Sequence, residues 1–295
     1  MSNYNEITDF VKNQFPAKEF IPLHEPNFSG REKEYVLDTI ESTFVSSVGA
    51  YVDKFEIMMA ELSETQKAVA LVNGTSALQV ALRLSGVSSG DEVLTQALTF
   101  IATINAIIYN GASPVFLDVD IDTMGLSPNS VQAFLEEYGE LRDGVCYNKK
   151  TNNKITACMP MHTFGFPVHL DELVTICNKW NIPVVEDAAE SIGSEYKGMP
   201  TGSFGKLGVF SFNGNKIVTS GGGGAIVTND IQLGIKAKHL TTTAKVPHPY
   251  EYVHDEIGYN FRMPNLNAAL ACAQLERLNS FIQNKRNLAS EYSNY

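Results

Sequence analysis

The sequence predicts an α/β fold: one mostly parallel sheet of seven strands with helices on both faces. Short, nearly continuous apolar runs recur along the chain, each followed by turn residues, and stretches with helical apolar spacing lie between several of them. Continuous apolar strands that alternate with helices are typical of a parallel sheet covered on both faces. Because ligands bind beyond the carboxyl ends of such strands, we expect a functional site there.

Each element follows from its local pattern. Strands are expected at residues 67–73, 92–98, 114–120, 155–162, 183–189, 207–212 and 223–228. Helices between them are expected at residues 75–85, 101–110, 128–138 and 170–180. Ser127 is a suitable N-cap for the third of these helices, with Pro128 at its first position. Upstream, helices are expected at residues 30–44 and 51–62, and the polar stretch 140–154 is expected to form a surface loop or hairpin.

The C-terminal residues 265–295 repeat apolar side chains at helical spacing, which predicts one long amphipathic helix. We expect residues 1–245 to form a large domain with an N-terminal helical segment. Residues 246–295 are then a separate C-terminal region that ends on this helix, with little left to pack over it. Either the remainder is missing from this sequence, or the protein is a shortened form.

Composition excludes several classes of function. The net charge of −11 argues against a nucleic-acid binder, which needs a basic face. No apolar run approaches the ~20 residues of a membrane helix, and the polar N-terminus does not look like a secretory signal. The four cysteines are widely spaced, so neither a metal site nor a disulfide framework is expected. A cytoplasmic protein without membrane or nucleic-acid partners is the resulting expectation.

Three stretches carry groups suited to chemistry. Gly74, Thr75 and Ser76 follow the first strand and open a helix, where a tight turn, hydroxyls and free N–H groups suit a phosphate. Asp187 ends an apolar strand, where its carboxylate could hold the protonated ring nitrogen of pyridoxal phosphate (PLP). Taken alone, the first stretch is better explained by an ordinary N-cap, and a helix-capping carboxylate is a plausible explanation of the second.

The third stretch contains Ser211 and, after a short turn, Lys216, followed by the glycine run 221–224. Lysine forms a Schiff base with PLP, and glycines let the backbone approach a flat ring or a phosphate. A flexible loop with a solvated lysine is the alternative, and Lys206 fits that description.

The order of these stretches closely resembles the DegT-type family of nucleotide-sugar aminotransferases, which have the PLP fold-type I architecture. The similarity runs from Ile21 to the final helix. Because the family's small C-terminal domain extends well past Tyr295, the resemblance implies that residues 246–295 are the beginning of that domain. The matching stretches are residues 73–78, 99–103, 186–189, 210–216 and 258–263.

The resemblance implies a role for several positions. Lys216 would carry the cofactor and shuttle the proton, and Asp187 would pair with the ring nitrogen. Phe100 would stack on the ring, although a core position is the alternative reading. Asn260 would reach the phosphate from the partner subunit of a homodimer, and Glu190 would lie near the cofactor's 3-hydroxyl. The phosphate would be held at Gly74, Thr75, Ser76 and Ser211.

The sequence departs from the family's pattern in three places. Glu190 stands where Gln is commoner, residues 221–224 are all glycine where Gly-Glu-Gly-Gly is usual, and Lys206 stands where Asp is frequent. None of these changes removes a group that transamination requires.

The resemblance further implies transfer of an amino group, from L-glutamate, to a 4-keto-6-deoxy nucleotide sugar of the legionaminic-acid type. Tyr4, His24 and His162 are candidates to face the sugar, with a packed or surface role as the alternative for each. Two other functions stay open. A deoxysugar dehydratase of the same fold has a histidine in place of the lysine, which Lys216 argues against, and a non-catalytic binding or regulatory relative would lack the intact set of site residues.

Overall fold

A computed structural model describes residues 2–295, and this part of the chain contains ten α-helices and eleven strands. The helices are α1 (Ser2–Gln14), α2 (Glu32–Glu41), α3 (Ala50–Leu62), α4 (Gly74–Leu84), α5 (Ile101–Tyr109), α6 (Pro128–Tyr138), α7 (Leu170–Lys179), α8 (Ile231–Thr241), α9 (Asn265–Leu275) and α10 (Leu278–Asn294). The strands are β1 (Lys67–Leu71), β2 (Glu92–Gln96), β3 (Ser113–Leu117), β4 (Gly139–Arg142), β5 (Val145–Asn148), β6 (Ile155–Cys158), β7 (Val185–Asp187), β8 (Glu195–Tyr196), β9 (Met199–Pro200), β10 (Leu207–Ser211) and β11 (Gly224–Thr228). No helix in the described range is both long and apolar enough to cross a bilayer.

Seven strands form the central sheet in the order β3-β2-β6-β7-β10-β11-β1. The β6–β7 junction is closed by backbone hydrogen bonds from Cys158 N to Pro183 O (2.9 Å) and from Asp187 N to Pro160 O (2.9 Å). β11 runs antiparallel to both neighbours, and the other pairs are parallel. The predicted mostly parallel seven-stranded sheet is therefore confirmed.

Helices cover both faces of this sheet, as expected. α4, α5, α6 and α7 lie where the apolar spacing predicted them. The Ser127 side chain accepts a hydrogen bond from Ser130 N (3.4 Å) and caps α6, with Pro128 in its first turn. The stretch 140–154 contains the hairpin β4–β5.

α8 was missed by the sequence analysis. Its buried face consists of small or isolated apolar residues, Gly234, Ala237 and Leu240, so its apolar period is weak. Its N-cap was the usable signal, because the Asp230 side chain accepts a hydrogen bond from Leu233 N (3.0 Å).

The prediction of one long C-terminal helix was wrong, because the chain turns at Glu276 and Arg277 between α9 and α10. α9 is buried on nearly every side, whereas Leu278 is the one buried residue of α10 in the described range. α9 therefore packs inside the core, and α10 lies at the surface of the core after the turn. Residues of α9 pack in the same hydrophobic core cluster as Phe55 and Phe212. The predicted domain boundary after residue 245 stays a prediction.

Asn265, the first residue of α9, fastens the start of α3. Its Oδ1 accepts hydrogen bonds from Tyr51 N (3.2 Å) and Val52 N (3.3 Å), and its Nδ2 donates to Phe44 O (2.6 Å). The N-cap residue of α3 is Gly49, which has no side chain to cap the helix. A side chain from more than 200 residues away therefore takes over the capping function.

We expect Asn265→Ala to lower the free energy of unfolding by about 1–3 kcal/mol, because it removes the hydrogen bonds of the Asn265 side chain to Tyr51 N, Val52 N and Phe44 O. Urea unfolding followed by circular dichroism measures this change. Asn279→Ala, at an exposed position on α10, is the control and should leave stability unaltered. Equal stability of the two variants would contradict the capping role of Asn265.

Candidate active site

A cavity of about 280 Å³ lies at the carboxyl ends of β1, β7 and β10. It is lined by residues from every stretch that the sequence singled out, including Gly74, Thr75, Phe100, Asp187, Glu190, Ser211 and Lys216. A larger cavity of about 600 Å³ lies at the amino ends of β2 and β6, beside the β4–β5 hairpin. Because open α/β sheets bind ligands at the carboxyl ends of their strands, the smaller cavity is the candidate active site.

The start of α4 forms one wall of this cavity. The Asn73 side chain caps the helix by accepting a hydrogen bond from Ser76 N (2.8 Å). A Cβ atom on Gly74 would lie 2.9 Å from the Ser211 Cβ, so only glycine allows this close approach. Thr75 and Ser211 line the cavity, whereas Ser76 does not. Hydroxyls beside a helix N-terminus suit a phosphate, and the phosphate role of Ser76 stays a prediction.

Asp187, the last residue of β7, is almost fully buried. Its Oδ2 accepts a hydrogen bond from Thr103 Oγ1 (2.7 Å), and its Oδ1 accepts one from Ala189 N (3.2 Å). Burial raises the pKa of Asp187 above its ordinary value, and these two hydrogen bonds only partly oppose the rise. A buried carboxylate of this kind gains from a nearby cation on a ligand.

Thr103 is a site residue that the sequence analysis did not single out. It lies in α5, and its hydroxyl contacts both Asp187 and Thr99 Oγ1 (2.6 Å). A threonine within a helix does not by itself indicate a functional residue. Thr103 contacts β7 only because the fold packs the start of α5 against the end of that strand.

Glu186, next to Asp187, points to the other side of the strand and serves the fold. Its carboxylate accepts hydrogen bonds from Gly202 N (2.7 Å), Phe204 N (2.8 Å) and Gly205 N (2.6 Å), and it contacts His162 Nε2 (3.1 Å). His162 is fully buried by these contacts, so it has the packed role rather than a role facing a ligand.

Of the other two sugar-facing candidates, Tyr4 is largely exposed on α1. His24 lines a second cavity, which Glu190 also lines.

Lys216 follows β10 after a turn in which its N–H donates to Asn213 O (3.0 Å). Its Nζ donates a hydrogen bond to Glu190 Oε1 (2.9 Å), and the Lys216 side chain is only 13% exposed. The other carboxylate oxygen of Glu190 accepts a hydrogen bond from Phe164 N (3.1 Å). The lysine is therefore oriented within the cavity, in contrast to the exposed Lys206.

The glycine run also borders the cavity, through Gly222 and Gly223. A Cβ atom on Gly224 would lie 2.5 Å from the Asn73 carbonyl group, so β11 passes directly against the turn that opens α4. Because Gly224 has no side chain, the start of β11 can lie directly against the residues that follow β1.

Phe100 and Asn260 occupy the rim and the surface. Phe100 precedes α5, lines the cavity and is 63% exposed, so it is not a core residue. Asn260 lies outside the cavity of its own chain, where its Oδ1 accepts hydrogen bonds from the Arg262 guanidinium (3.0 and 2.8 Å). Its predicted contact with a partner's site stays a prediction.

The donor set of the cavity fits PLP. A helix N-terminus with two hydroxyls matches a phosphate, a buried carboxylate matches a protonated ring nitrogen, and a lysine amine matches an aldehyde. The three groups come from Thr75, Asp187 and Lys216, which line one cavity.

The sequence matches the DegT/DnrJ/EryC1/StrS aminotransferase family over residues 26–295. The chain belongs to this family. It is 41% identical over 273 residues to the GDP-perosamine synthase of Escherichia coli O157:H7, covering 92% of this chain and 70% of that protein. It is 39% identical to the putative PLP-dependent aminotransferase EpsN of Bacillus subtilis, covering 93% of this chain and 68% of that protein.

Solved structures show the same fold. The aminotransferase from Psychrobacter cryohalolentis superposes with a TM-score of 0.76 at 34% identity, covering 88% of this chain and 64% of that one. A putative sugar aminotransferase from Streptococcus pneumoniae in its PMP form gives a TM-score of 0.81 at 25% identity, covering 93% of this chain and 70% of that one. The chain thus spans about two thirds of the length of these proteins.

These comparisons confirm the predicted family, the fold-type I architecture and an aminotransferase as the class of enzyme, and they agree with PLP as the cofactor. The roles of individual site residues stay predictions.

The raised pKa of Asp187 has a consequence for the stability of the PLP-free protein. The folded state holds the proton more tightly than the unfolded state, whose carboxyl has the ordinary pKa of 3.8. Stability from this group therefore falls as the pH rises above about 3.8 toward the folded-state pKa, and the loss persists at neutral pH.

We expect Asp187→Asn to raise the urea midpoint of the PLP-free protein at pH 7, with a gain that shrinks as the pH is lowered toward about 4. The amide can still accept from Ala189 N and donate to Thr103, whose hydroxyl can turn to Thr99. The exposed Asp143→Asn is the control. If the PLP-free Asp187→Asn variant is less stable than the parent at neutral pH, the stated cost of burying this carboxylate is contradicted.

Proposed function

We propose that this chain is a PLP-dependent aminotransferase that moves an amino group from an amino acid to a keto group on a nucleotide-linked sugar. The observation that supports this proposal most directly is the meeting of Lys216, Asp187 and the α4 N-terminus around one cavity. In that arrangement the phosphate would be held at Gly74, Thr75 and Ser211, with Phe100 against one face of the ring.

When bound, PLP supplies an aldehyde and an electron-withdrawing ring that stabilises negative charge at the carbon from which a proton leaves. The carboxylate of Asp187 would keep the ring nitrogen protonated, with Thr103 and Ala189 holding the carboxylate in place. Lys216 would carry the proton on its Nζ in both half-reactions. Glu190 would orient that amine through the 2.9 Å contact between Glu190 Oε1 and Lys216 Nζ.

Two half-reactions would follow: an amino acid donor, L-glutamate by family resemblance, gives its nitrogen, and the keto sugar receives it. Three curated relatives, which are 41%, 36% and 35% identical, are named GDP-perosamine synthases. We therefore propose a GDP-linked 4-keto-6-deoxy sugar as the first acceptor to test. A nucleotide-linked 4-keto-6-deoxy-N-acetylhexosamine of the legionaminic type is the alternative.

Lys216 distinguishes this proposal from its rivals. A dehydratase of this fold needs a histidine at the lysine position. A non-catalytic relative would have no need for an amine that is 13% exposed and oriented by Glu190 beside a buried carboxylate.

The parent protein mixed with PLP should show a visible absorption band that is lost in Lys216→Ala. Lys206→Ala is the matched control, because it removes an exposed lysine on the same loop-and-strand segment and should keep the band. Absorption spectra of dialysed samples measure the result. A band that survives in Lys216→Ala, or no band in the parent, would contradict the proposal.

Asp187→Asn should weaken PLP binding about 10- to 100-fold, because a charge-assisted hydrogen bond is worth about 1.5–3 kcal/mol. A fluorescence titration with PLP measures the affinity, with Asp143→Asn as the control. If Asp187→Asn binds PLP as tightly as the parent does, the ring nitrogen of PLP does not pair with Asp187.

We also propose a homodimer in which Asn260 completes the partner's site. A mixture of Lys216→Ala and Asn260→Ala chains would then contain heterodimers with one intact site. If both variants are inactive alone, a refolded equimolar mixture should recover about a quarter of the parent activity, because half of the dimers are mixed and each has one good site of two. No recovery in a mixture shown to contain heterodimers would place Asn260 in its own chain's site or outside any site.

A further inference from the structure

A cavity of about 370 Å³, here called the second cavity, lies beside the candidate active site. It is distinct from the cavity of about 600 Å³ at the amino ends of β2 and β6. Glu190 lines both the second cavity and the candidate active site, and its carboxylate contacts Lys216 Nζ (2.9 Å). The walls of the second cavity come from distant parts of the chain: the N-terminal segment at His24, the turn at Phe164 and Gly165, the loop after Glu190, and α10.

The side chains around this cavity are rich in nitrogen donors. Lys285 and Arg286 of α10 line it, and neither forms an ion pair or a side-chain hydrogen bond within the described residues. Both side chains are exposed on α10, so a ligand that enters the cavity can reach them.

His24 forms another part of the cavity wall. Its Nε2 is buried and has no hydrogen-bond partner among the described residues. Burial, reinforced by the nearby charge of Lys285, lowers the pKa of His24. An anion in the cavity would offset the charges of Lys285 and Arg286 together.

The carboxylate that faces this cavity does not cancel its positive charge. Both oxygens of Glu190 are engaged, Oε1 by Lys216 Nζ (2.9 Å) and Oε2 by Phe164 N (3.1 Å). The net charge left for a ligand is therefore positive. Because ligand carboxylates and phosphates bind to such groups of cations, the chemistry of the cavity selects an anion.

We infer that this second cavity binds an anionic group of the substrate through Lys285 and Arg286 while the reacting group lies at Lys216. The inference rests on the proposed function and extends it. Two substrates of that reaction carry suitable anions: the amino donor has carboxylates, and the nucleotide sugar has a diphosphate. Anchoring either one beyond Glu190 would fix its orientation toward the amine.

The test is calorimetric titration of the PLP-free protein with two non-reacting probes, glutarate for the donor and GDP for the nucleotide. The charge-reduced variant is Lys285→Ala/Arg286→Ala. Its matched control is Lys33→Ala/Lys179→Ala, which removes the same charge from exposed helix positions outside all of the described cavities.

We expect the Lys285→Ala/Arg286→Ala variant to bind one probe about 10-fold or more weakly, and the control variant to bind it as the parent does. A selective loss of glutarate binding identifies the amino donor's carboxylate as the occupant, and a selective loss of GDP binding identifies the diphosphate.

Equal affinities of parent, variant and control for both probes, or no binding of either probe by the parent, would overturn the inference and leave Lys285 and Arg286 as solvated helix residues. Visible absorption with PLP is recorded on the same samples. Loss of anion binding with an intact PLP band would thus be told apart from failure of the proposed cofactor chemistry.

Discussion

An ionised carboxylate in a protein interior requires hydrogen-bond donors or a nearby cation. The protein provides the buried Asp187 carboxylate with two hydrogen bonds, which do not fully compensate for its burial. Thr103 and Ala189 donate to it, yet burial still raises its pKa. The position is fixed by the sheet, because β7 lies between β6 and β10 and ends at the cavity. A site that is unfavourable when empty and complementary to a protonated ring is the arrangement expected for cofactor binding.

The alternation of side chains along β7 divides two functions between adjacent acids. Glu186 faces the loop at Gly202 and holds its backbone, whereas Asp187 faces the cavity. Glu190, at the following turn, connects the Lys216 amine to the Phe164 backbone. This chain has Glu at position 190, where Gln is commoner, and the Glu190 side chain still accepts a hydrogen bond from Lys216 Nζ. The glutamate adds a negative charge, which lies 2.9 Å from the Lys216 Nζ in the PLP-free protein.

Much of the fold could be predicted from sequence because its signals are local. The seven strands and α4 to α7 follow from apolar runs and caps, and the cavity follows from where parallel strands end. The missed features depend on tertiary contacts. Thr103 reaches Asp187 only through the sheet order, α8 has a weak apolar period, and the turn between α9 and α10 reflects where burial stops. The pairing of Lys216 with Glu190 likewise joins residues 26 apart, which no local pattern shows.

The account's central claim is that the Lys216 amine is the group that bonds covalently to the cofactor's aldehyde. Treatment of the PLP-loaded protein with borohydride, followed by peptide mass spectrometry, tests it most directly, since reduction makes a lysine–aldehyde bond permanent. The account predicts one modified peptide, containing Lys216, at close to one label per chain. Labelling of Lys206 or of scattered surface lysines, with Lys216 unmodified, would contradict it.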